Sequence, residues 1–212
     1  MKEAYIVDGI RTAIGSFGAS LAPVRTDDLA AHVIRELMAR NPSLDQESIA
    51  DVIMGCANQA GEDNRNVARM ASLLAGLPFS VPGETVNRLC ASGMSAAAHA
   101  FRAIRNNDGD VFISGGVENM SRGPYVMSKP SKAYGTDSKM YDSSFGWRFV
   151  NPKMFELYGT DAMGETAENL VEQYGISRED QDKFAVNSQM KAVKARDNGR
   201  LAKEIAAVSI PQ

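Results

Sequence analysis

Apolar positions recur along the chain at two spacings, and each spacing implies a kind of element. Short apolar runs at residues 4–7, 51–56 and 111–114 read as strands. Helical spacing appears first at Leu29, Val33 and Leu37. Thr26 or Asp27 can cap that helix, and Asn41-Pro42 ends it near Arg40. A second helix runs from Val67 to about Ala75 and closes at Gly76, and a third covers 92–105, entered from an extended run at 84–89. A turn at 106–109 leads into the strand at 111–114. Strands alternating with helices predict an α/β layer around a largely parallel sheet for residues 1–120. Past Ser121 the periodicity fades, and Gly, Pro, Ser and Lys are frequent up to Tyr141. Helices then return at 162–174, stopped by Gly175, and from Ser177 to about Asn198, before a last extended run at 206–210. Residues 121–212 therefore read as a second, mostly helical unit.

Composition narrows the class. Of the 212 residues, 44% are hydrophobic, enough for a core and too many for disorder. The net charge of −3 leaves no footprint for nucleic acid. No apolar run approaches the roughly 20 residues of a membrane span, and the N-terminal run reads as a strand rather than a targeting helix. Two cysteines and no disulfide framework fit a reducing cytoplasm. No repeat, metal-ligand cluster or low-complexity tract stands out, so no metal is expected.

The chemistry concentrates at Cys90. An extended run enters it and a helix leaves it, so its thiol sits near amides that lack intrahelical partners. The positive end of the helix dipole favours a thiolate there. Ala91, Ser92, Gly93, Ser95 and Ala96 are small enough for a substrate to approach the backbone, an arrangement like the nucleophile elbow of hydrolases with sulfur for oxygen. The plainer alternative is a small buried hydrophobe opening a helix. Cys56 follows apolar residues and is expected to be buried and quiet. His32, flanked by Asp28 and Glu36, reads as a solvated histidine. His99 lies nine residues beyond Cys90 on the same helix, roughly 13 Å along the axis, and cannot serve the thiol as a base.

Asn87, Cys90, Ser92 and Gly93, followed by Gly115-Gly116-Val117-Glu118-Asn119-Met120-Ser121, resemble the thiolases. So do Val7-Asp8-Gly9-Ile10-Arg11-Thr12 and Met163-Gly164-Glu165-Thr166-Ala167-Glu168-Asn169. Within that family, residues 55–69, 146–152 and 157–161 are most similar to the 3-oxoadipyl-CoA (β-ketoadipyl-CoA) thiolases. Ala13, Ala97, Ala162 and Gly164 depart from the usual residues. The resemblance implies a layered α/β thiolase N-terminal domain over 1–120, with a partial, mostly helical loop domain over 121–212. It also implies that a thiolase is about twice this long. The C-terminal half, with a base histidine, a second cysteine, an oxyanion-hole asparagine and the segment that completes the sheet, is absent from the chain.

What the resemblance implies for function is thiolytic cleavage of a 3-oxoacyl-CoA, with 3-oxoadipyl-CoA as the expected substrate. Cys90 would carry the acyl group as a thioester, and its backbone amide would serve as one oxyanion donor. Met163 and Arg148 are the expected substrate-binding residues. Arg148, between Trp147 and Phe149, could pair with a terminal carboxylate; the alternative is a loop salt bridge with Asp142 or Glu156. No cofactor is expected beyond CoA as substrate. The expected partners are acyl-CoA, CoA, the C-terminal half and further copies in a homodimer or tetramer. Alternatives are an acetoacetyl-CoA or fatty 3-ketoacyl-CoA thiolase, and a non-catalytic thiolase-fold fragment that oligomerises or binds acyl-CoA. A cysteine hydrolase is disfavoured, because no histidine is placed to help the thiol. On their own Gly115 and Gly116 read as a turn that ends a strand; the resemblance implies that the backbone there passes close to the Cys90 loop.

Overall fold

In the computed structural model, which describes residues 2–210, three parallel strands are laid side by side. These are β1 (Ile49–Gly55), β2 (Gly83–Val86) and β3 (Val111–Gly116), in the order β2-β1-β3. Successive side chains of β1 point to opposite faces. Val52 and Met54, with Cys56 beyond them, join one buried cluster with Ile34, Val67, Ala71 and Ile113. Ile53 joins the other with Val86, Ala96 and Ala100, backed by Phe112. Helices α1 (Thr26–Arg40) and α2 (Val67–Ala75) supply the first face, and α3 (Ser92–Asn106) supplies the second. Alanines at 30, 31, 68, 71, 96 and 100 carry no more than a methyl group to the sheet, which lets the helices sit close.

Local chemistry sets the helix ends. The Asn66 side chain accepts from the Arg69 amide at 3.3 Å, and Gly76 takes a left-handed φ of 88° to close α2. At α1 neither Thr26 nor Asp27 is the cap; Arg25 holds the cap position without a side-chain bond. The orphan amide of Thr26 instead donates to Glu62 Oε2 at 3.4 Å, a carboxylate 36 residues away.

Residues 4–7 form no strand, contrary to expectation. Ile6 is 96% exposed, and Tyr5 and Val7 are exposed with it. A strand needs a paired neighbour, and these residues have none among the described ones. Arg11 alone makes a bridge, parallel to Ile205, and the Ala206 amide donates to the Arg11 carbonyl at 2.8 Å. A trough of about 490 Å³ lies between residues 8–17 and the end of β3, floored by Val33, Leu37, Met54 and Ile113.

The described residues divide into two compact units. One runs to Pro124 and takes in the stretch from Ile205; the other is Tyr125–Glu204. The chain thus returns to the first unit near its end, where the sequence pattern assigns all of 121–212 to the second. The second unit holds an antiparallel pair, β4 (Tyr125–Met127) and β5 (Met140–Asp142), then α4 (Pro152–Tyr158), α5 (Met163–Tyr174) and α6 (Arg178–Asp197). The pattern of apolar positions did not predict α4. Its signal was Asn151-Pro152: Asn151 accepts from the Lys153 amide at 2.9 Å, and Pro152 occupies the first turn.

Glu62 joins three segments of the first unit. Its carboxylate accepts from Arg122 Nε at 2.7 Å, from the Thr26 amide, and at 3.4 Å from Arg25. Hydrogen bonds from Arg122, foremost, hold its carboxyl below the usual carboxylate range. Glu62→Gln would leave two guanidinium groups facing each other across a neutral amide. Stability is expected to fall by roughly 1–2 kcal/mol at pH 7. A carboxyl with a lowered folded pKa stabilises above its unfolded value, near 4, and loses that contribution as pH falls further. The gap between wild type and Glu62→Gln in urea melts should therefore be full above about pH 5 and shrink steadily as pH falls below about 4. A gap as large at about pH 2.5 as at pH 7 would refute the assignment.

Candidate active site

The carboxyl ends of the three strands come together at one edge of the sheet, the edge where ligands bind in open parallel sheets. β1 ends at Gly55 and runs on to Cys56 and Ala57. β2 ends at Val86 and runs on to Asn87 and Cys90. β3 ends at Gly116 and runs on to Glu118. Glycine is required at the first of these ends, and a side chain would be crowded at the third. A Cβ on Gly55 would lie 2.3 Å from the Ser92 carbonyl carbon, and one on Gly116 would lie 3.0 Å from the Gly55 carbonyl oxygen and 3.4 Å from Gly93 Cα. The expected close passage of the 115–116 backbone by the Cys90 loop is therefore present, and Gly93 is the point of approach.

The turn that carries Cys90 is tightly bonded. Asn87 Oδ1 accepts from the Leu89 amide at 2.9 Å. Ser92 Oγ accepts from the Arg88 amide at 2.8 Å and donates to the Leu89 carbonyl at 2.6 Å. Leu89 is left-handed at φ 49°, a strained value for a side chain of its size. The strain is held by both neighbours of the turn, and Cys90 follows it exposed, immediately before α3.

Cys56 is the opposite case. It is 1% exposed, and burial, followed by the nearby Glu118 and Asp63 carboxylates, pushes its thiol up to about 12. Its Sγ lies 3.7 Å from Asp63 Oδ2 and 3.8 Å from Glu118 Oε1. The three ligand-type atoms lie within 4.8 Å of one another, a cluster invisible in sequence because it joins positions 56, 63 and 118. The carboxylates are turned to backbone amides: Asp63 Oδ1 accepts from Gly61, and Glu118 accepts from both Ala57 and Asn58.

A family model described as "Thiolase, N-terminal domain" matches residues 4–212. The chain belongs to the thiolase family. It is 61% identical over 208 residues to the 3-oxoadipyl-CoA/3-oxo-5,6-dehydrosuberyl-CoA thiolase of Escherichia coli K12, a match covering 98% of this chain and 52% of that protein. It is 56% identical over 212 residues to the β-ketoadipyl-CoA thiolase of Acinetobacter baylyi, covering 100% of this chain and 53% of that one. The crystal structure of the Bacillus anthracis acetyl-CoA acetyltransferase superposes with a TM-score of 0.80 at 35% identity, covering 96% of this chain and 50% of that one. The chain thus spans about half the length of these relatives. The expected layered α/β thiolase fold is present.

Other expected residues of this thiolase chain sit elsewhere. Met163, the first residue of α5, is 80% exposed, and Arg148 is in the same second unit. Arg148 donates from Nη1 to the Ser143 carbonyl at 3.3 Å, so its local tie is to backbone rather than to Asp142 or Glu156. Tyr141 and Phe149 meet edge to face at 5.0 Å in the same loop. His99 Nδ1 lies 3.8 Å from Glu84 Oε1 of β2. His32 is half-buried, its Nε2 enclosed and without a hydrogen-bond partner among the described residues, not solvated as expected. No helix among the described residues is long and apolar enough to cross a membrane.

The two thiols should react very differently. At pH 8 limiting iodoacetamide is expected to modify Cys90 and spare Cys56 in the folded chain, with both modified in urea. Peptide mass mapping reads the ratio; equal labelling of both in the folded chain would contradict the burial and charge argument.

Proposed function

We propose that this chain is the N-terminal half of a thiolase that cleaves a 3-oxoacyl-CoA, 3-oxoadipyl-CoA in the first instance, with Cys90 as nucleophile. The observation that carries this reading is the contrast at the strand ends: one thiol exposed on a strained, fully bonded turn before a helix, the other buried between carboxylates. In the reaction, Cys90 Sγ attacks the 3-oxo carbonyl carbon. The bond between C2 and C3 breaks, the acyl group stays on sulfur as a thioester, and acetyl-CoA leaves once C2 is protonated. The thiol of a second CoA then takes the acyl group and the cysteine is restored. The Cys90 amide is proposed as one oxyanion donor.

Neither chain histidine is paired with the thiol among the described residues: His99 lies beside Glu84, and His32 belongs to α1. The proton acceptor is therefore proposed to come from the other half of a longer protein. The outer edge of β3 is unpaired among the described residues, and the apolar trough beside it is proposed as the seat of a segment of that half. The outer edge of β2 likewise has no partner strand among the described residues, and Leu89, Met94 and Phe101 near it in sequence are exposed, which favours assembly into a homodimer or tetramer. Acyl-CoA and CoA are the proposed small-molecule partners.

The chain alone is expected to show no measurable thiolysis. Base and second oxyanion donor each contribute on the order of a hundredfold or more. Fused to the second half of the E. coli relative, it should cleave 3-oxoadipyl-CoA, and Cys90→Ser in that fusion should abolish cleavage. Turnover by the isolated chain, or an active Cys90→Ser fusion, would overturn the reading.

Substrate choice is tested in the same fusion through Arg148, whose bond to Ser143 leaves further guanidinium donors for a carboxylate. Arg148→Met is expected to cost 3-oxoadipyl-CoA about 2–4 kcal/mol of transition-state binding and acetoacetyl-CoA little. Equal losses would make Arg148 a loop-holding residue only. The reading as a non-catalytic fragment gains support only if the fusion folds and is inert.

A further inference from the structure

The geometry points to Glu118 as a positioning residue for Cys90, acting through Ala57 and Asn87. The inference rests on the reading of Cys90 as nucleophile, but concerns how the turn is held rather than whether it reacts. Val117 still belongs to the sheet, its amide donating to the Gly55 carbonyl at 3.0 Å. The next side chain, Glu118, reaches across to the end of β1. Its Oε2 accepts from the Ala57 amide at 2.9 Å and its Oε1 from the Asn58 amide at 3.2 Å. Both carboxylate oxygens are thus committed to backbone, which fixes the peptide planes of the 57–58 loop. The carbonyl of Ala57 is then presented to Asn87, whose Nδ2 donates to it at 3.1 Å. With its amide nitrogen held, the other end of the Asn87 side chain, Oδ1, is aimed at the Leu89 amide. That bond belongs to the residue at φ 49°, directly before the thiol.

The order of links is therefore Glu118, the Ala57 peptide, the Asn87 carboxamide, Leu89 and Cys90. The first three links are hydrogen bonds and the last is the peptide bond between Leu89 and Cys90. Because Asn87 has a donor end and an acceptor end on one rigid plane, releasing the donor lets the plane rotate and frees the acceptor. Cys56 provides an internal control for the Asn87 change. Its thiol also touches Glu118, but its place in the buried cluster between sheet and helices does not depend on Asn87.

The test uses this chain, labelled with nitrogen-15, in four forms besides wild type: Glu118→Gln, Glu118→Ala, Asn87→Ala, and Asn87→Ala with Glu118→Gln. Circular dichroism establishes that each is folded; Glu118→Gln, which preserves shape and one carbonyl oxygen, keeps the test available if Glu118→Ala does not fold. Either single change is expected to move the Leu89 and Cys90 amide resonances and to slow iodoacetamide modification of Cys90 about two- to fivefold as the turn leaves the helix end. In the Asn87→Ala background Glu118→Gln is expected to add nothing at Cys90, since the link is already broken. Unmoved Cys90 resonances in both Glu118 variants, unslowed Cys90 modification in them, additive effects in the double variant, or a change in Cys56 labelling in Asn87→Ala would each overturn the proposal. None of these readouts involves turnover, so they separate a failure of the positioning role from a failure of Cys90 as nucleophile.

Discussion

A missing side chain sets the geometry of the first unit. At the end of the central strand, any Cβ on Gly55 would overlap the backbone that opens α3. Its absence lets strand and helix touch backbone to backbone. Gly116 from the neighbouring strand closes on the same spot and meets Gly93 from the other side. Three strand ends and a helix start are thereby drawn into one small volume. The Cys90 turn bridges β2 and α3 over a span so short that Leu89 takes a left-handed conformation. Alanine at position 55 could not be absorbed by a rotamer change, since the atoms it would meet are backbone.

Much of this was legible in sequence because the signals are local. Gly76 after an apolar helical stripe marks the end of α2, and small residues after Cys90 mark a close-approach turn. The burial of Cys56 followed from the apolar residues before it. What escaped was long-range. The amide of Thr26 is satisfied from Glu62, and the amides of Ala57 and Asn58 from Glu118, 61 and 60 residues away. No pattern within a window of neighbours contains such pairs. Residues 4–7 failed for the converse reason: their composition suits a strand, but a strand is a property of two segments, and only one is present among the described residues.

The two units are built on different terms. The first buries apolar side chains on both faces of its sheet. In the second, Ser143 is the one buried residue among those described, while Phe155, Phe184 and Met190 stand exposed. Its helices rely on local terms: Ser177 capping the Asp180 amide at 3.1 Å, and i,i+4 pairs of Arg178 with Asp182 and Glu179 with Lys183. Exposed pairs of that kind contribute only about 0.3–0.5 kcal/mol each. Helices so lightly supported owe their order in a longer protein to whatever covers their apolar side chains.

The bare edge of β3 has a consequence in time. A ribosome adds roughly 5–20 residues per second, so a protein twice this long needs on the order of ten to forty seconds more after this half has emerged. If a later segment seats there as proposed, the edge of β3, unpaired among the described residues, and its apolar trough stay uncovered throughout that interval. Flat unpaired edges recruit other edges, including those of sister chains on the same message. In a longer chain the length of that exposure is set by translation speed rather than by final stability.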